Sequence, residues 1–403
     1  MTFDYSFRKF LDDFGRFENT RDLEASPLYQ KVQPEIDRVL NHVWQEELAP
    51  SSGPPITDSI RAVAWNIERG ICLDPIIQLL QQHPMLAGAD LLLFSEVDWG
   101  MARTANRFVT REIAAALKMN YAFAPCYIAL SKGAGIEKQA GGDNQESLHG
   151  NALLSRFPLR RVHSLALPNG KDKMKGAEKR IGSQRAVIAD IEHPLGAFRA
   201  VSLHLDAHSS QRHRCLQFGQ VLDHLEKLQP QLPVLIGGDW NTTTHDASRA
   251  LYSILGYCRR VLMGVRNVVA NHYPYPERYF EKHLFAEIER RGYRYREFNT
   301  PGECTLHYNV ANLAANLNMR EWVPHWCFWF INWALDRTGG SCSMKLDWFA
   351  ARDLQASAPA VAIPDLLCGG KPVSDHDPIV VSLVPAGITR TSETSLLSAA
   401  PRL

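Results

Sequence analysis

Six candidate strand ends carry groups able to bind a hard cation or move a proton. They are Asn66 in WNIE, Glu96 in FSE, His204 in SLHLD, Asp239 with Asn241 in GGDWN, Asp347 in KLDW, and Asp375 with His376 in SDHDP. The carboxylates and amides are hard oxygen donors. Mg²⁺ takes few carboxylates, keeps several waters and is completed by phosphate oxygens. Glu96 and Asn66 suit that role, and Asp239, Asn241 and Asp375 can add ligands or orient a water. His204 and His376 stand among oxygen donors and suit acid–base work. An imidazole whose other nitrogen is held by a carboxylate, here Asp347, is a better base and stabilises the imidazolium that forms. There is no HExxH or Cys/His zinc spacing, and no GxSxG, P-loop or Rossmann fingerprint.

The elements that must position these groups follow from the apolar pattern. Residues 233–236 form a short apolar run closed by Gly237 and Gly238, which reads as a buried strand leaving the core. Residues i and i+2 of a strand point the same way, so Asp239 and Asn241 can face one point. An isolated GDxN is more often an Asx turn, and a lone histidine at a strand end is more often a plain hydrogen-bonded residue. Repetition at six strand ends outweighs both. Strands are predicted over 61–66, 90–96, 121–124, 151–156, 187–191, 198–205, 233–238, 345–350 and 378–383. Helices are predicted over 74–83, 105–118 and 246–255, with a further long one ending at Leu228. This mixture predicts an α/β fold with two mixed sheets face to face, helices outside, and functional residues on loops at one end.

The 403 residues are 45% hydrophobic and 22% charged, enough for one large domain with insertions or two of usual size. A net charge of +1 excludes a strongly basic nucleic-acid binder, so any such surface is local. Eight cysteines lie scattered without a CxxC pair, which predicts free thiols. The N-terminus lacks a signal-type apolar core, and no run nears the roughly 18 apolar residues of a membrane helix, so a cytoplasmic location is expected.

Residues 1–58 are predicted to be a helical extension and linker. Leu28, Val32, Ile36, Val39, Leu40 and Val43 recur at helical spacing, for packing on the main domain or an oligomer contact. The main domain is predicted over 59–384, with a tryptophan-rich insertion at about 259–343 and a disordered tail over 385–403. Trp322, Trp326, Trp329 and Trp333 form a helical stripe that suits core or interface, with a specificity lid as the functional reading. Lys171, Lys173, Lys175, Lys179 and Arg180 read as a solvated loop, or as a grip on a nucleic-acid backbone.

Taken in order, WNIERG, FSE, HGNALLSR, SLHLD, GGDWN, KLDW and SDHDP resemble the endonuclease/exonuclease/phosphatase superfamily, from about residue 61 to 383. The resemblance implies a four-layer DNase-I-like sandwich and Mg²⁺-dependent phosphoester cleavage, with Mn²⁺ as a substitute. It assigns Asn66 and Glu96 to the metal and Asp375 to a further metal-associated carboxylate. Asp239 and Asn241 would position the water and the phosphate. His376, partnered by Asp347, would act on the scissile phosphate, assisted by His204. Arg185 would contact a phosphate, and His149 or Asn151 would line the mouth. A phosphodiesterase or nuclease is the leading expectation, and a phosphatase or phospholipase-type enzyme on a sugar or lipid phosphate the alternative. A non-catalytic binding module on the same fold is the reading from another class; loss of a metal carboxylate or of the SDH histidine would favour it, and neither is lost.

Overall fold

The computed structural model describes residues 5–50, 58–242, 246, 250–309 and 327–385. Its apolar residues sort into three layers that interleave with two sheets. The larger sheet runs β1 (Trp44–Glu46), β4 (Asn120–Ala129), β5 (Leu148–Ser155), β3 (Leu91–Trp99), β2 (Ile60–Arg69), β17 (Ile379–Pro385) and β14 (Leu354–Ala362), with β7 (Arg180–Gly182) also paired to β4. The second runs β13 (Asp347–Arg352), β10 (Val234–Asp239), β9 (Phe198–Ser202), β8 (Arg185–Ile191) and β6 (Leu159–Ala166). Two hairpins, β11 (Leu306–Asn309) with β12 (Ser341–Met344) and β15 (Leu367–Cys368) with β16 (Lys371–Pro372), stand apart. The sheets are mixed: β2 lies parallel to β3 and β9 to β10, while the other pairings are antiparallel.

Strand periodicity of two explains the layering. In β2, Ala62 and Ala64 face the layer between the sheets, whereas Val63 and Trp65 face the outer side. In β10, Leu235 faces inward, and Val234 and Ile236 outward. Helices Leu73–Gln82 and Val109–Leu117 cover the larger sheet with Ile76, Leu80, Val109 and Ile113. Helices Gln211–Lys227 and Lys282–Arg290 cover the second with Phe218, Val221, Leu284 and Phe285. The result is the expected four-layer α/β sandwich. Each fully buried large side chain stabilises it by about 1.5–3 kcal/mol relative to exposure.

The N-terminal residues join the same core. Helix Pro27–Asn41 starts at Ser26, whose hydroxyl accepts from the Tyr29 N–H, and buries Val32, Ile36 and Val39 against the larger sheet. Its chain then adds β1 to the sheet edge. Residues 51–57 of the expected linker lie outside the described residues, as do 386–403 of the expected tail, and Pro385 closes β17.

The helix expected from residue 105 starts at Val109 because Ala105 and Asn106 adopt left-handed backbone, at φ 53° and 58°. Trp322 and Trp326 lie outside the described residues. Trp329 and Trp333, on helix Cys327–Leu335, are exposed rather than in the core. No helix among the described residues is long and apolar enough to cross a membrane.

Candidate active site

The ends of β2, β3, β10 and β13, with the loop before β17, converge on Asp239. Close sheet packing dictates the glycines before it. A Cβ on Gly237 would lie 2.6 Å from the Phe349 ring, and one on Gly238 would lie 2.1 Å from the Leu203 carbonyl oxygen. Gly238 also needs φ of 139°, open only to glycine. Asp239 and Asn241 then fall on one side, while Trp240 turns into the outer core beside Phe218 and Trp348.

Asp239 is 1% exposed. Its Oδ1 accepts the Asn241 backbone N–H at 2.8 Å, which is the local Asx bond, and its Oδ2 accepts Asn66 Nδ2 at 3.1 Å. Two imidazoles flank Oδ2, His204 Nε2 at 3.5 Å and His376 Nε2 at 3.8 Å. Burial raises the Asp239 carboxyl above the ordinary carboxylate range; the adjacent His376 and His204 oppose this, and Asp347 adds to it.

His376 is fixed from behind. Its Nδ1 lies 2.7 Å from Asp347 Oδ2, and that oxygen also accepts the Thr305 hydroxyl at 2.6 Å. The His376 carbonyl accepts Trp65 Nε1 at 2.8 Å. Burial works against the imidazolium, but Asp347 and Asp239 outweigh it and raise His376 well above its ordinary value. Asp239, Asp347 and His376 have the mutual distances of a metal triad. Asp347 and Asp239 favour the charged imidazole, which has no lone pair for a metal, whereas the neutral ring held at Nδ1 by Asp347 keeps one at Nε2.

Further oxygen donors stand at the ends of β2 and β3 and in the loop before β17. Pairing of β2 with β3 breaks between Asn66 and Arg69, and pairing of β3 with β5 breaks between Phe94 and Val97. These irregularities hold Glu68, Arg69 and Glu96 at positive φ of 46°, 67° and 53° and re-aim their side chains. Burial disfavours the Glu96 anion, yet Arg69, 3.5 Å away, with His204, His149 and His376, holds the carboxyl well below the usual range. Glu68 is pushed up to about 8 by burial, then by Asp375 and Glu96. Glu68, Glu96 and Asp375 repel one another, as carboxyls near a cation site do, but among the described residues the group with mutual metal-ligand spacing is Asp239, Asp347 and His376.

The structure thus gathers Asn66, His204, Asp239, Asn241, Asp347 and His376 in one hydrogen-bonded and ion-paired group, with Glu96 and Asp375 electrostatically coupled to it. Asn241 donates its Nδ2 to the Leu205 carbonyl at 2.9 Å. Asn66 Oδ1 accepts the Glu68 N–H at 3.1 Å, leaving one lone pair for a ligand.

Arg185 is placed differently from the phosphate contact expected of it. Its guanidinium donates to Ser164 Oγ at 3.1 Å and Asn41 Oδ1 at 2.8 Å, tying β8 to β6 and to the N-terminal helix. Asn151 donates to the Arg185 carbonyl at 2.7 Å, and His149 Nδ1 lies 2.8 Å from Asp98.

Sequence reasoning missed Glu68, Arg69 and Thr305. Glu68 follows Asn66 at the same i, i+2 spacing that singled out Asp239 and Asn241, so a signal was present. Thr305 lies 42 positions before Asp347 and carries no local mark.

The sequence model of the Endonuclease/Exonuclease/phosphatase family matches residues 63–376. No curated protein matches. Among solved structures, the endonuclease/exonuclease/phosphatase from Beutenbergia cavernae is 17% identical, with 82% of this chain and 72% of that one covered and a TM-score of 0.46. The human Nocturnin catalytic domain is 14% identical over 85% and 97%, with a TM-score of 0.44. Humanized D. rerio TDP2 is 12% identical over 81% and 99%, with a TM-score of 0.43.

Proposed function

Since the chain belongs to the endonuclease/exonuclease/phosphatase family and is a phosphoester hydrolase, we propose that it is a Mg²⁺-dependent phosphodiesterase acting on nucleic acid. The observation that carries this reading is a buried Asp239 held between two imidazoles, one of them paired with Asp347.

Glu96, Glu68 and Asp375, with the Asn66 carbonyl, would hold the cation, which when bound neutralises charge on the phosphate. Asp239 takes the proton of the attacking water, and its raised basicity suits that task. Asn66 and the Asn241 N–H fix the carboxylate so that the water is aimed rather than merely bound. His376, charged and held by Asp347, donates its Nε2 proton as a hydrogen bond to the phosphate oxygen that gains charge. His204, whose Nε2 also lies against Asp239 Oδ2, supplies a second donor, while Asn241, its Nδ2 given to the Leu205 carbonyl at 2.9 Å and Asp239 Oδ2 at 3.4 Å, acts by fixing Asp239.

One observation favours a second reading, hydrolysis of a lipid phosphate. Trp329 is 67% exposed and Trp333 43%, the kind of aromatic surface that inserts at a bilayer interface. A panel of supercoiled plasmid, single-stranded DNA, RNA, bis-p-nitrophenyl phosphate and sphingomyelin vesicles, each with Mg²⁺ or EDTA, separates the two. Metal-dependent cleavage of a nucleic acid supports the first reading. Cleavage of the lipid with nucleic acids intact replaces it with the second, and no metal-dependent turnover of any substrate rejects both.

A further inference from the structure

We propose that the β11–β12 hairpin positions His376 for its work on the phosphate, and that His307, paired with Asp377, is the latch between hairpin and loop. The proposal rests on the reading of His376 as the donor to the phosphate. It gives the hairpin that closes the tryptophan-rich insertion a task other than that of a lid.

His376 lies between β16 and β17, so its backbone is held by neighbours rather than by a continuous ladder. Two parts of the chain supply them. From β2, Trp65 Nε1 donates to the His376 carbonyl at 2.8 Å, and the Asn66 carbonyl accepts the Ser374 hydroxyl at 2.6 Å. From the hairpin, Leu306 makes an antiparallel bridge with His376, and the Thr305 carbonyl accepts the Asp377 N–H at 2.7 Å. The same short run reaches the partner of His376. The Thr305 hydroxyl donates to Asp347 Oδ2 at 2.6 Å and accepts the Leu346 and Asp347 N–H groups, each at 3.2 Å. Residues 305–307 therefore touch both halves of the His376–Asp347 pair.

His307 adds a side-chain contact to this backbone grip. Its Nε2 lies 2.9 Å from Asp377 Oδ2, and its Nδ1 lies 2.7 Å from the hydroxyl of Ser343, its cross-strand partner on β12. A carboxylate only accepts, so Nε2 carries the proton, and the ring ties both strands of the hairpin to the residue that follows His376. The hairpin itself has a firm base. Tyr308 and Cys342 are buried in a small core with Val265, Ala334 and Leu335, which come from helices Val265–Asn271 and Cys327–Leu335.

Stability does not account for the His307–Asp377 pair. The His307 side chain is 49% exposed and that of Asp377 13%, and a pair so open to solvent contributes little to folding. Its place in the chain is what matters. Misplacing a reacting group by about 1 Å costs on the order of 10²-fold in rate, and Asp377 is bonded directly to His376. A weak contact at that position acts on rate before it acts on stability. His307 is thus a positioning residue, acting through Asp377 on the aim of the His376 imidazole.

The test measures kcat and KM on bis-p-nitrophenyl phosphate with Mg²⁺, beside the thermal midpoint. His307→Ala should lower kcat about tenfold, with KM changed by less than about twofold and the midpoint within about 3 °C of wild type. His307→Gln, which keeps an N–H able to reach Asp377, should recover most of the loss. Asp377→Ala should match His307→Ala, and the double variant should be no slower than the slower single, as one shared contact requires. Wild-type kcat in His307→Ala, losses that add in the double variant, or a loss confined to KM would overturn the latch. Hydrogen exchange read by mass spectrometry judges it apart from hydrolysis. His307→Ala should speed exchange in the peptide covering residues 373–378 while the β10 peptide keeps its protection. Unchanged exchange would reject the latch, whereas absence of wild-type turnover would count against the phosphodiesterase reading alone.

Discussion

Replacing Asp347 by asparagine isolates the role of the charge behind His376, because size and shape are kept. Asp347 is 0% exposed, and its Oδ2 takes two short hydrogen bonds, from Thr305 at 2.6 Å and His376 at 2.7 Å. The Asn carbonyl can still accept from both, but a neutral acceptor gives up the charge-assisted part of each bond, roughly 1–2 kcal/mol. Loss of a buried charge opposite a fixed imidazolium would cost about 3–5 kcal/mol. His376 escapes that cost by releasing its proton, since Asp347 is the largest influence holding its pKa up. The folded state should therefore survive with about 1–3 kcal/mol lost. Catalysis should fare worse, because a neutral imidazole offers a weaker donor to the phosphate. We expect kcat on bis-p-nitrophenyl phosphate to fall about 10²- to 10⁴-fold, a loss of roughly 3–5 kcal/mol in transition-state stabilisation, with KM little changed. The pH profile should shift with it. On the alkaline side the wild-type rate falls as pH rises through the elevated His376 value, and Asp347→Asn should move that limb to lower pH while the acid limb, set by Asp239, remains. A thermal melt confirms folding. A variant with turnover within threefold of wild type and an unmoved alkaline limb would refute the charged His376–Asp347 pair as the working state.

Glu68 carries a folded-state value of about 8, above the ordinary carboxyl, so its protonated form stabilises the fold at low pH and that contribution is lost as pH rises toward 8. In EDTA the wild-type melting temperature should fall between pH 5 and 8.5, Glu68→Gln should flatten the slope, and an unchanged slope would count against the carboxylate cluster. Gly238→Ala should prevent stable folding or cost about 3 kcal/mol or more, since φ of 139° and the Leu203 carbonyl at 2.1 Å both exclude a Cβ. Denaturant titration reads it, and a wild-type midpoint would show that β10 packs otherwise.

What the sequence made legible was repetitive and local. Short, mostly unbroken apolar runs located β2, β3, β9, β10 and β17, because each is buried on both faces and so needs no polar alternation. β6 was illegible because LRRVHSLA is mostly part-exposed at the edge of the second sheet, and β14 because LQASAPAVA offers small residues and a proline at the edge of the larger one. The chemistry at strand ends was readable as types at fixed spacing, hence Asp239 with Asn241. Direction was not readable. Arg185 begins β8, but which way its guanidinium turns depends on Asn41, 144 residues earlier. The buried half of the basic loop was hidden for the same reason, since its anchors are Thr20, Gly15 and Phe17.

The most direct measurement is hydrolysis of bis-p-nitrophenyl phosphate by the full chain, titrated with Mg²⁺ and reversed by EDTA, beside Asp239→Ala. Turnover should appear with the cation, vanish on chelation, and fall by at least about 10³-fold in the variant while its far-ultraviolet spectrum stays native. Turnover that survives EDTA, or that Asp239→Ala leaves intact, would contradict a metal-assisted attack by water held at Asp239.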